Sequence, residues 1–142
     1  MSVVLPHELS ALTKTIASAA NYGGASSAIA KATELVEAGI QATKDLHGSS
    51  SLRFYSQSIG NHASLAGAQL TWLDLSVLPP AARQAIEGAK TTLASMPHAV
   101  NDVAELQGVR QTFAGVLEQL HIANKATASA AGDIAQSLLA AR

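Results

Sequence analysis

The chain has 142 residues, nine Lys or Arg against ten Asp or Glu, a formal net charge of -1 and no cysteine. That balance, spread without a run of one sign, excludes the basic stripe a nucleic-acid binder needs, and the missing cysteines exclude disulfides and thiolate metal sites. The hydrophobic share of 48% is rich in Ala, with aromatics at only 4%, so one all-α domain with a thin core suits this length better than a sheet.

In chain order, Leu5, Leu9, Leu12, Ile16 and Ala19 alternate steps of four and three, the repeat of an a/d seam, and predict a first helix over about 5–20. Asn21-Tyr22-Gly23-Gly24 reads as a turn, and Ser26 or Ser27 as the N-cap of a second helix over about 26–47. Its stripe runs through Ile29, Ala32, Val36, Gly39 or Ile40, Thr43 and Leu46, and His47-Gly48 suits its C-terminal end. The two helices are expected to form an antiparallel hairpin.

Ser49-Ser50-Ser51 caps a third predicted helix over about 51–73, with apolar positions at Leu52, Tyr55, Ile59, His62 or Ala63, Ala66, Leu70 and Leu73. Gly60 and Gly67 weaken that helix by about 1 kcal/mol each relative to Ala. Asp74 to Pro79 breaks the pattern. Pro80 fits a first helical turn, so a fourth helix is expected over about 80–95, ending before Met96-Pro97.

From His98 to the C-terminal residues no proline interrupts a heptad frame through Val103, Leu106, Arg110, Phe113, Leu117, Leu120, Asn124, Thr127, Ala131, Ile134, Leu138 and Ala141. This predicts a helix over 98–140, about 65 Å long, which favours an elongated molecule unless Gly108 or Gly132 breaks it. The stretch Ala123 to Ala131 puts only small or polar residues on that frame. It reads as a surface portion or a close backbone approach, with a partner-dependent section as the functional alternative.

Candidate chemistry is sparse. Glu118-x-x-His121 has the spacing of a helical metal ligand pair, but no second copy exists, and a solvated edge beside Leu120 is the preferred reading. His98, Asp102 and Glu105 could share a helix face, though acidic residues in a first turn already complement the helix dipole. No nucleophile elbow or phosphate loop occurs: Gly23-Gly24-Ala25-Ser26-Ser27 lacks the Lys-Ser/Thr pair and follows no strand. The expectation is a non-enzymatic protein with no cofactor and no metal.

Residues 54–73 form an uncharged interval of membrane-spanning length, with small-xxx-small spacing at Gly60/Ser64 and Ala63/Gly67. Gln57, Asn61, His62 and Gln69 oppose insertion, so a buried or intersubunit helix is expected and conditional insertion is the lesser alternative. Trp72 and Leu73, with Leu75, Val77 and Leu78, read as the densest apolar knot and as a buried anchor or contact hot spot.

The expected architecture is an elongated antiparallel bundle of four to five helices spanning 1–142, with a long heptad-patterned C-terminal helix. In its Ala, Ser and Thr content, its lack of Cys and its amphipathic segment Val103 to Ala141, the sequence resembles the small axial or filament components of bacterial secretion and flagellar systems and some helical phage structural proteins. The resemblance implies a structural subunit that associates with itself or joins a larger complex. Trp72, Leu73, Leu75, Phe113, Leu117, Leu120, Ile134 and Leu138 are the candidate contact residues. The partner is a second copy or another helical protein, not nucleic acid. A helix-binding regulatory or chaperone-like module and a conditionally membrane-active protein are the alternatives. The opening residues lack a signal-peptide pattern, so cytoplasmic residence is the default expectation, with signal-independent export or incorporation into a particle beside it.

Overall fold

A computed structural model describes residues 6–45, 57–97 and 100–140. Among them are four α-helices and one 3-10 turn, and no strand: α1 (Pro6–Asp45), α2 (Gln57–Thr71), the 3-10 turn Leu75–Val77, α3 (Pro80–Ala94) and α4 (Val103–Ala140). Each helix packs on its neighbours in the chain, and α4 closes the ring against α1. This is the layout of an up-and-down four-helix bundle.

The expected turn at Asn21–Gly24 is not formed. α1 runs through it as one 40-residue helix, so Ser26 and Ser27 lie inside a helix and not at an N-cap, and there is no hairpin between 5–20 and 26–47. The segment contains no proline, so no backbone donor is lost and the hydrogen-bond ladder continues. The two glycines cost about 1 kcal/mol each against Ala, and nothing stands within 4 Å of where their Cβ atoms would be. Tyr22, half-buried against the core, ties the segment down from one side and buried Ala25 from the other.

The register between α1 and α4 is fixed near their paired ends. Arg110 donates from Nε to Thr43 Oγ1 (3.0 Å) and from its terminal nitrogen to the Thr43 carbonyl (3.2 Å). One turn further, Gly39 lies so close to the Phe113 ring that a Cβ there would be 2.8 Å from Cζ. Antiparallel steps of a turn from that contact bring Val36 level with Val116, Ala32 with Leu120, Ile29 with Ala123 and Ala25 with Thr127, all buried. At Gly39/Phe113, Ala32/Leu120 and Ile29/Ala123 a large residue thus faces a small one, which allows close packing of the two helices. Ala123 and Thr127 belong to this core, so one face of the first half of the small-residue stretch is buried and not a surface portion. Thr127 satisfies its hydroxyl on the Ala123 carbonyl (2.7 Å).

The buried stripe of α4 is Leu106, Val109, Phe113, Val116, Leu120, Ala123 and Thr127. Only alternate members of the expected frame are on it. Arg110 and Leu117 are half-buried, Val103 and Asn124 are exposed, and the second seam position falls one residue earlier, on Val109, Val116 and Ala123. Both frames step by three and four. The frame through Val109 and Val116 faces the bundle axis, while Arg110 is held to one side by Thr43.

The two short helices complete the lower part of the bundle. Ile59, Gly60, Ala63, Ala66 and Leu70 of α2 and Ala82, Ala85, Ile86, Ala89 and Leu93 of α3 are buried. Gly67 lies against Leu93, pairing the ends of two antiparallel helices, so α2 and α3 overlap only in part. Irregular segments fill the remainder: Leu78 before α3, and Met96 and Val100 after it, are buried in the same core. Asp74 caps the 3-10 turn by accepting the Ser76 N–H (3.1 Å), and Pro80 occupies the first turn of α3. α4 begins at Val103, later than 98, because Asp102 accepts the Glu105 N–H while the Glu105 carboxylate accepts the Asn101 N–H, both at 2.8 Å. This is a capping box, shifted by one residue on its return bond.

α2 has 15 residues, about 22 Å, and no described helix is long and apolar enough to cross a membrane. The His47-Gly48 end, the Ser49–Ser51 cap, Leu46, Leu52, Tyr55 and His98 lie outside the described residues.

Candidate interaction surface

The mismatch in helix lengths shapes the molecule. α1 and α4 have 40 and 38 residues, α2 and α3 have 15 each. Among the side chains described, the last fully buried layer of the long pair is Ala25 with Thr127. Beyond it α1 continues back to Pro6, about 28 Å at 1.5 Å per residue, and α4 on to Ala140, about 20 Å. Nothing in the register of α2 and α3 reaches this two-helix arm.

The arm is thinly packed. Ala19 and Tyr22 on α1 and Ala130, Ala131 and Ile134 on α4 are half-buried, while Leu138 is 36% and Leu139 58% exposed. The arm is also poor in charge: residues 6–24 contain only Glu8 and Lys14, and residues 128–140 contain only Asp133.

The eight expected contact residues separate into three groups. Phe113 and Leu120 are fully buried and hold the core, with half-buried Leu117 packed beside them. Ile134 and Leu138 lie together on the arm. Trp72 is 89% exposed, which corrects the expectation of a buried anchor there but not that of a contact hot spot: α2 ends at Thr71, and Leu73 and Leu75 turn back to pack partly on the core ahead of buried Leu78. A Trp followed by that chain reversal stands off the body. Its exposure was hidden in a local run of apolar letters that has no periodicity to assign a face.

A groove of about 420 Å³ lies between α2 and α3, bordered by Gly60, Ala63, Gly67, Leu93 and Met96 with Lys90 at its edge. It exists because small residues on α2 leave the partly overlapped helices incompletely filled. A second groove, of about 390 Å³, runs between α1 and α4 past Ile29, Leu117 and Leu120, with Glu37, His121 and Asn124 on its rim. Glu118 and His121 are both exposed on α4, and Asp102 and Glu105 are engaged in capping. No group of three or more His, Asp or Glu among the described residues could hold a metal. Gln119 meets Gly88 at the α3–α4 crossing, where a Cβ on Gly88 would lie 2.6 Å from its amide nitrogen. Compared with protein-family models, with curated proteins and with solved structures, the chain gives no match.

Proposed function

We propose that the protein is a non-enzymatic structural subunit that associates through its long helices. The observation that carries this reading is the arm: two helices that leave a four-helix body, expose Leu138 and Leu139, and carry very little charge. An isolated pair of helices has one narrow seam to bury, and solvent-facing protein is ordinarily about 25–35% charged. A charge-poor surface of that kind suits contact with protein better than contact with water. Light scattering over a wide concentration range tests it. Mass that rises with concentration supports the reading, and a monomer at every concentration counts against it.

A second reading has its own observation. The α2–α3 groove, with exposed Leu65 and Trp72 on the same stretch of chain, is suited to an apolar helix of another protein. A helix-binding module of this kind would remain a monomer and shift the emission of Trp72 when a helical partner docks.

A further inference from the structure

We infer that the arm is the half-site of a two-fold dimer, in which two copies overlap their arms antiparallel and rebuild across the interface the four-helix layout of the body. This rests on the self-association proposed above and names its partner and register. The body shows what α1 and α4 require: two further helices over their shared face. In the arm, among the described residues, none is supplied. A second copy supplies two helices of matching length and the same small-residue surface, and a two-fold axis lets one patch serve both sides.

The register follows from charge. Counted from the last core layer, Lys14 lies eleven residues out from Ala25, and Asp133 six out from Thr127. Both are exposed, and neither makes an ion pair among the described residues. An antiparallel overlap of about seventeen residues brings Lys14 of each copy level with Asp133 of the other, about 26 Å from shoulder to shoulder. The apolar positions agree with it independently. Ile134 lies seven and Leu138 eleven residues out, so the same overlap sets Ile134 of one copy within one residue of Leu138 of the other. α1 has nineteen residues in the arm, enough to fill that overlap. One register thus satisfies two charge pairs and two apolar pairs.

The test is complementation between copies by sedimentation equilibrium. Lys14→Glu alone and Asp133→Lys alone each set like charges opposite one another twice and are expected to weaken the dimer about tenfold or more. An equimolar mixture of the two variants restores both pairs, and association returns to the wild-type level. Leu138→Asp is expected to abolish the dimer at micromolar concentration while the helical circular dichroism stays unchanged. A dimer indifferent to all three substitutions overturns the arm register but leaves self-association standing. A monomeric wild-type chain overturns both. Weakened single variants that fail to complement show an effect within each chain, which overturns the pairing between copies.

Discussion

Gly39 and Phe113 occupy one space: a methyl group on Gly39 would stand 2.8 Å from Phe113 Cζ. The phenyl ring, fully buried, is the largest side chain in the core, and it fits only because α1 offers a bare backbone opposite. Gly39→Ala gains helix propensity of about 1 kcal/mol but must displace the ring, at a cost of typically 1–3 kcal/mol for overpacking. We expect a net loss of stability of about 1 kcal/mol in urea unfolding. Phe113→Leu added to it is expected to recover part of the loss, so the pair departs from additivity.

The opposite sign is expected at Gly23 and Gly24. Both are inside α1, exposed, with nothing within 4 Å of a would-be Cβ. Gly23→Ala and Gly24→Ala should each stabilise by about 0.5–1 kcal/mol. Loss of stability on either substitution would mean that the segment takes the turn conformation its sequence suggests.

Arg110 ties α4 to the C-terminal part of α1 through both the hydroxyl and the carbonyl of Thr43. The carbonyl lies in the last turn of the described helix, where a cation also complements the helix dipole. Arg110→Ala should cost about 1.5–3 kcal/mol, the usual range for hydrogen bonds to a charged group. Arg110→Lys should recover less than half, because one ammonium does not reproduce the fork that reaches both oxygens. Chemical denaturation of the two variants checks both values.

How much of this was legible in the sequence depends on the residue. The all-helical class, the α3 start at Pro80 and the long C-terminal helix follow from periodicity and proline placement alone. The break that Gly23-Gly24 suggests does not form, because glycine permits a turn without demanding one, and tertiary packing decides. The frame through Val103, Arg110 and Leu117 shares Leu106, Phe113 and Leu120 with the true stripe, and letters alone cannot choose between Leu117 and Val116 as its complement. What settles it is burial in three dimensions, where Val116 is enclosed and Leu117 only half-buried. Of the candidate surface, Ile134 and Leu138 were readable as seam residues, but the half-burial of the one and the exposure of the other required the lengths of α2 and α3.

Trp72 is the only tryptophan in the chain and is 89% exposed. Its emission in the free protein is expected near that of tryptophan in water, and Trp72→Ala should change stability by less than about 0.5 kcal/mol. A blue-shifted spectrum in dilute protein would place it in the core after all. A shift that appears only on association would make Trp72, and not the arm, the contact surface.

Small-angle X-ray scattering over a concentration series reads mass and length together. At the lowest concentration we expect the 14.5 kDa chain mass and a longest dimension of about 60 Å, the length of α1. At high concentration we expect twice that mass, with the longest dimension extended to about 90 Å by two bodies joined through overlapped arms. A mass that never rises, or a doubled mass with no gain in length, would contradict an arm-to-arm assembly.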